Sequence, residues 1–222
     1  MDNGIKSKDR VKDFGEVFTP DNIVNDMLDL LDEQWKDLSS EEYITKTILE
    51  TACGDGQFLI RILYRKLERV KKLHKENRPL ALVKAVSSIY GVDIQADNVE
   101  RSKRRMFNII IGGKETSFNV NGESSEIQIN LGIEITEQLK NVIDYILNAN
   151  IIVGNTIDND DFVHNPNGQV ELIAYHFNNT NGKVSLARAP ISNLDNEYDQ
   201  TDEVAIMDIV NIKFDDSEPE DF

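Results

Sequence analysis

The chain has one cysteine, Cys53, and three histidines, His74, His164 and His176, among 222 residues. A single thiol excludes internal disulfides and cysteine-based zinc sites, and histidines this scattered do not read as a metal cluster, so no metal is expected. Positive charge is also scarce. Lys and Arg total 24 against 40 Asp and Glu, a formal net charge of −16, and such a surface repels a phosphate backbone unless the contact is local or made through a partner. Long uncharged apolar runs are missing, as is a basic leader followed by an apolar stretch. The reading predicts no membrane span, no secretory signal and a cytoplasmic protein.

With 40% hydrophobic residues, the chain can bury one sizeable core, with room for a small appended module. Residues 1–13 are polar and predict a flexible N-terminus. Thr19 and Pro20 read as the cap and first position of a helix over about 20–38, with Ile23, Met27, Leu28, Leu30, Leu31 and Trp35 at helical spacing toward the core. Thr47 to Glu50 reads as a short strand, and helical periodicity returns from Phe58 through Leu59, Ile62, Leu63, Leu67 and Val70. The basic residues of that helix, Arg61, Arg65, Lys66, Arg69, Lys71 and Lys72, suggest a solvated face rather than a nucleic-acid patch. Pro79–Ala85 predicts a helix, Val86–Val92 an apolar strand ending in Asp93, and 96–111 another helix. Strand and helix alternating in this way predict an α/β fold with a mostly parallel sheet and helices on both faces.

Residues 112–125 read as a loop or irregular hairpin and Ile127–Leu131 as a strand. Thr136 opens a helix, and Asn150–Asn155 reads as a third parallel-type strand. Beyond residue 157 the chain is crowded with Asp and Asn. Val170–Phe177 and Lys183–Ala189 are candidate strands of a hairpin around Gly182. An acidic linker precedes the apolar run Val204–Phe214. Residues 158–214 thus form a β-rich C-terminal extension, and 215–222 an acidic tail.

Between the first strand and its helix lies Leu49-Glu-Thr-Ala-Cys-Gly-Asp-Gly-Gln-Phe58, with two glycines around one aspartate. Glycines at the carboxyl end of a parallel strand let backbone amides approach a ligand. The third glycine of a dinucleotide fingerprint is absent, because Leu59 stands there, and so is the Gly-Lys-Ser/Thr ending of a phosphate loop. Read without any resemblance, Gly54 and Gly56 suit either an ordinary strand-to-helix turn or a ligand loop. Asp93 is either a ligand acceptor or part of a helix cap. Cys53 reads as a small core residue.

Four segments in order resemble the adenine-N6 DNA methyltransferases of restriction-modification systems, in particular their modification subunits. Glu16-Val-Phe-Thr-Pro20 resembles the family's motif X, residues 49–58 its motif I, Tyr90-Gly-Val-Asp-Ile94 its motif II and Asn150-Ile-Ile-Val-Gly-Asn155 its motif III. The resemblance covers residues 14 to about 157, and implies a Rossmann-like S-adenosylmethionine-dependent methyltransferase domain over 14–157. It implies S-adenosylmethionine as cofactor, with Phe18, Thr19 and Pro20 over its methionine part. Gly54 and Gly56 would approach its amino-acid end and Asp55 would receive its ammonium, Glu50 would either hold the loop in shape or contact the ligand, and Ala52 and Phe58 complete the loop's cofactor-binding residues. Asp93 falls at its ribose hydroxyls with Ile94 beside it among the cofactor-binding residues, and Asn155 where the family has an Asp for the adenine amino group.

The family's catalytic tetrapeptide, Asn or Asp, Pro, Pro and an aromatic, is missing. Asn165-Pro-Asn-Gly168 approaches it without the second proline or the aromatic. No catalytic residue is therefore assigned. The leading expectation is a cofactor-binding, methyltransferase-like protein of a restriction-modification or phage context, not catalytic alone. An active adenine-N6 DNA methyltransferase whose catalytic motif is degenerate or supplied by a partner subunit, and a non-enzymatic acidic anti-restriction decoy, stay as alternatives. DNA reached through a partner subunit, a restriction or host-defence protein, and a second copy of the chain are the partners this leaves open.

Overall fold

A computed structural model describes residues 19–119, 121–156, 160–161, 165–178, 181–191 and 200–211. The expectations for residues 1–18, Phe18 included, and for the acidic tail lie outside them. In chain order the described elements begin with α1 (Asp21–Gln34), α2 (Ser40–Thr45), β1 (Ile48–Glu50), α3 (Gln57–Lys72), α4 (Arg78–Ser87), β2 (Ile89–Asp93) and α5 (Ala96–Ile110). A hairpin of β3 (Glu115–Phe118) and β4 (Ser124–Ile127) follows, then α6 (Glu137–Asn150) and β5 (Ile151–Val153).

The protein is α/β, built on a parallel three-strand sheet in the order β1-β2-β5. Its register pairs Leu49 with Tyr90 and Val92 with Ile152. Strand β2 is buried along its whole length, as the central strand of a parallel sheet must be. One face of β2 is pressed against α3, where a Cβ on Gly91 would stand 2.7 Å from Leu59 Cδ1.

The other face carries no helix among the described residues, which corrects the expectation of helices on both sides. There Tyr90, Val92 and Ile152 pack against Val170 and Leu172. The latter begin an antiparallel sheet of β8 (Glu171–Asn178), β9 (Lys183–Pro190) and β10 (Val204–Ala205), reached after β6 (Asp160–Asp161) and β7 (Asn165–Gln169). The turn at Gly182, with φ of 68°, pairs β8 with β9 along their length, so they cover the parallel sheet rather than extend it. The Tyr90 hydroxyl fastens the two layers by donating to the Ile173 carbonyl at 2.7 Å. Ile173, Val184, Leu186, Ile206 and Ile209 share one buried cluster with α3, α4, α5 and α6. The described part of the C-terminal extension therefore completes the core.

Several local expectations shift. The cap of α1 is Pro20, one residue later than read. Of the apolar residues of α1 only Val24 and Leu28 are buried, while Ile23, Met27 and Leu30 are exposed by 41%, 49% and 74%, because the helix meets the core along one narrow face. Ile127 ends β4, and the strand expected to continue to Leu131 does not form. Helix α2 was not foreseen, although Ser39 and Glu42 make a complete capping box at its start.

The basic helix face is the largest correction. Arg61 and Lys66 are buried, and Arg65 pairs with Asp29 and Asp32. Lys66 Nζ donates to the Ile44 carbonyl at 3.0 Å, to the Lys46 carbonyl and to Ser88 Oγ. It thereby ties the amino ends of β1 and β2 to α3. Burial lowers its pKa from the ordinary lysine value to about 7. Between pH 7 and about 10, where a free lysine still holds its proton, the unfolded chain binds a proton that the folded chain has released. Stability should therefore rise with pH across that window and lack this contribution below it. Urea unfolding of Lys66→Met against the wild type, from pH 6.5 to 10, should show a flatter pH dependence in the variant. Equal slopes would contradict this account of Lys66.

Candidate functional site

The carboxyl ends of β1, β2 and β5 lie side by side, and the glycine loop, Asp93 and the segment carrying Asn155 meet there. Asp93, the last residue of β2, is 9% exposed. Its Oδ2 accepts the Gly54 amide at 2.8 Å, and its Oδ1 accepts the Gln95 amide at 2.8 Å and Asn98 Nδ2 at 3.3 Å. One carboxylate thus closes the glycine loop onto the second strand and shapes the entry to α5. The cap position of α5 is Gln95, without a side-chain cap bond, so Asp93 holds the residue at the helix entry rather than capping the helix itself. A carboxylate offers about four lone-pair sites, so these donors leave room for one more.

The loop itself is fixed by backbone. Cys53 N–H donates to the Val92 carbonyl at 2.9 Å, and Gly56 N–H to the Cys53 carbonyl at 3.0 Å. Gly54 and Gly56 have φ of 54° and 85°, conformations that side chains with a Cβ rarely adopt. A Cβ on Gly56 would also stand 2.7 Å from Ser102 Oγ and 2.9 Å from Ser102 Cβ. Ser102 in turn donates to the Gly54 carbonyl at 3.0 Å. Gly56 is therefore required for the approach of α5, whatever binds above it. Cys53 is buried, and burial, reinforced by Asp93, raises its thiol pKa. It is a protonated core residue rather than a nucleophile.

Asp55 departs from its expected part. Its carboxylate is buried and ion-paired with Arg105 at 3.1 Å and Arg101 at 3.3 Å, so its charge is already matched within the protein. Burial raises the pKa of Glu50, whose side chain bends back to accept the Ala52 amide at 3.4 Å. Ala52 is exposed and Phe58 half-buried against the core. Ile94 is 44% exposed beside Asp93.

Gly154 N–H donates to the Asp93 carbonyl at 3.0 Å, and Thr156 Oγ1 to the Thr51 carbonyl at 3.0 Å. The chain leaving β5 thus crosses the strand ends and carries half-buried Asn155 with it. Thr19 is exposed and Pro20 half-buried at the start of α1. Asn150 stays away from this end: its side-chain amide donates to the Ser87 and Ile89 carbonyls at the amino end of β2.

Sequence reading missed the polar residues beneath the loop. Asp21 is 5% exposed; it pairs with Arg61 and accepts Gln57 Nε2 at 3.1 Å and Ser125 Oγ at 2.7 Å. Arg61 also reaches Ser117 and Ser125 of the β3-β4 hairpin. A signal existed on α5, where Asn98, Ser102 and Arg105 fall in phase with buried Ile109. Polar residues at core spacing on a helix mark an internal network.

Elsewhere, a groove of roughly 270 Å³ between Ile110 and Leu131, at the far end of α5, is lined by aliphatic, Asn, Gln and Gly residues without a titratable side chain. No group of three His, Cys, Asp or Glu among the described residues is placed to hold a metal ion. No described helix is long and apolar enough to cross a membrane.

Gly56→Ala should cost about 2–4 kcal/mol, combining the left-handed backbone with overpacking against Ser102. Ser102→Gly in the same chain should return part of that loss and leave the backbone part. Urea midpoints of the two variants check this, and a neutral Gly56→Ala would contradict the geometry.

The chain matches no family model, no curated protein and no solved structure.

Proposed function

We propose that the carboxyl end of the β1-β2-β5 sheet binds S-adenosylmethionine or its demethylated product. In this reading the chain is a DNA adenine methyltransferase-like protein of a restriction-modification or phage context, and does not transfer the methyl group alone. The observation that carries the reading is the junction of Gly54 with Asp93 at 2.8 Å, beside the crossing segment at Gly154. It sets a glycine loop, a buried acid and Asn155 at one end of a parallel sheet, where open α/β sheets take their ligands. Strand order supports it too: β1-β2-β5 has the arrangement of one half of a doubly wound nucleotide-binding sheet, with successive strands added on one side.

Within this reading Asp93 keeps its bond to Gly54 and meets the ribose through its remaining lone pair. A second ribose hydroxyl would displace the 3.3 Å bond from Asn98, the longest of the three. Ile94 offers an apolar surface to the adenine. The amino-acid end lies toward Gly54 and Gly56, and its ammonium finds Asp55 already paired with Arg101 and Arg105, so loop carbonyls rather than Asp55 would receive it. Thr19 and Pro20 stand nearby through the chain at Asp21.

A second reading, an active enzyme completed by a partner, draws on one observation. Among the described residues β1 pairs with β2 alone, on the side where a doubly wound sheet would continue with its second half. A partner that supplied that half would bring the missing catalytic strand.

Calorimetric titration of S-adenosylmethionine into the wild type and Asp93→Asn, followed by a methyl-transfer assay on mixed DNA with the same samples, tests the cofactor site that both readings share. Wild-type binding, an affinity loss of about 10- to 100-fold in Asp93→Asn and no transfer are expected. Transfer by the pure chain would contradict both readings and point to a degenerate catalytic motif within the chain, and the absence of binding would leave the acidic surface, with its net charge of −16, as the functional element.

A further inference from the structure

Beneath the glycine loop a single guanidinium reaches three separate elements. Arg105, on α5, has a side chain 9% exposed. Its Nη1 lies 3.1 Å from the Asp55 carboxylate and donates to the Asp55 carbonyl at 2.9 Å. Its Nη2 donates to Gln57 Oε1 at 2.9 Å, and its Nε to Glu115 Oε2 at 3.1 Å. Every nitrogen is used, and the partners belong to the loop, to the first residue of α3 and to β3. Gln57 continues the chain of bonds through Nε2 to Asp21 at 3.1 Å, and Asp21 is the residue after Pro20. Two short steps of side chain therefore join the backbone of the loop to the start of α1.

The charges in this cluster balance. Arg61, Arg101 and Arg105 face Asp21, Asp55 and Glu115. Such a set adds little net field above the loop. It fixes peptide orientation at Asp55 instead, because a planar guanidinium holds its partners at defined angles, which an ammonium on a flexible stem does not. Around Arg105 the bonds are buried and every guanidinium nitrogen is used, and in such a network each bond depends on the others.

We propose that Arg105, relayed by Gln57 to Asp21, is a positioning residue that sets the loop for the amino-acid end of the cofactor and aligns Thr19 and Pro20 with it. The inference rests on the cofactor reading given above. It adds a division of labour: Asp93 serves the nucleoside, and the Arg105 relay serves the methionine portion.

The test is a pair of ligands against a pair of variants. Arg105→Lys keeps the charge and loses the three-way reach, and Gln57→Met cuts the relay at a half-buried position without changing charge. S-adenosylmethionine and 5′-methylthioadenosine, which keeps the nucleoside and sulfur but lacks the amino acid, are titrated into each protein after circular dichroism shows it folded. Both variants should lose about tenfold in affinity for S-adenosylmethionine, the scale of one net hydrogen bond to a charged group, and stay within about twofold of wild type for the shorter ligand. Equal losses for both ligands would mean general loosening of the domain and would overturn the proposal. So would wild-type affinity for S-adenosylmethionine in a folded Gln57→Met, even if Arg105→Lys failed to fold. A wild type that binds neither ligand overturns the cofactor reading and this proposal together, whereas a binding wild type with unchanged variants overturns only the latter.

Discussion

The bond from the Gly54 amide to the Asp93 carboxylate, 2.8 Å long, is the interaction on which the rest of the site depends. It joins the ends of two neighbouring parallel strands through a charged acceptor that is itself buried, the kind of bond whose loss leaves a costly unpaired group. Its geometry follows from the layers. Strand β2 is buried on both faces, between α3 and the antiparallel sheet, so Asp93 has little freedom at its end. The loop must come to it. Left-handed backbone at Gly54 and Gly56 permits that turn, and the absent Cβ of Gly56 lets Ser102 close from α5. The glycines then serve packing as much as any ligand.

This arrangement explains why the loop's charge is not its recognition device. Asp55, which sequence alone offers as a receptor for an ammonium group, is neutralised by Arg101 and Arg105. Among the described residues, the polar groups near the strand ends include backbone amides and carbonyls, the remaining lone pair of Asp93 and the half-buried Glu50 carboxylate, beside the crossing segment at Asn155. Those suit a small polar ligand held by directed hydrogen bonds. They do not suit a nucleic-acid backbone, which the surplus of acids already disfavours. Among the described residues the parallel sheet runs β1-β2-β5, an order compatible with one half of a doubly wound sheet, and the catalytic tetrapeptide is lacking in the sequence. The proposal of binding without methyl transfer draws on these two features.

Much of the architecture was legible because it rests on local patterns. The helical stripes of α3, α5 and α6, the apolar run into Asp93 and the glycine loop all state their structure in a few consecutive residues. The second layer was not legible. Val170–Phe177 and Lys183–Ala189 read correctly as strands, but nothing local says that they lie across the face of β2 in place of helices. The interior charges were the other blind spot. Arg61, Lys66 and Arg105 resemble surface residues by type, and only their phase with buried neighbours, Lys66 four residues from Ile62 and from Val70 for example, betrays them. Asp21 gave no such sign, since an acid in a helix's first turn ordinarily faces water and favours the dipole. Its burial depends on Arg61, Gln57 and Ser125, which are distant in sequence.

The measurement that bears most directly on the central claim is a crystal structure of the protein grown with S-adenosylhomocysteine. The account predicts the ligand across the carboxyl ends of β1 and β2, with a ribose hydroxyl within hydrogen-bond distance of Asp93 and the amino-acid end along Gly54 to Gly56. A ligand lodged elsewhere, or strand ends closed by Thr156 and empty at saturating ligand, would contradict it.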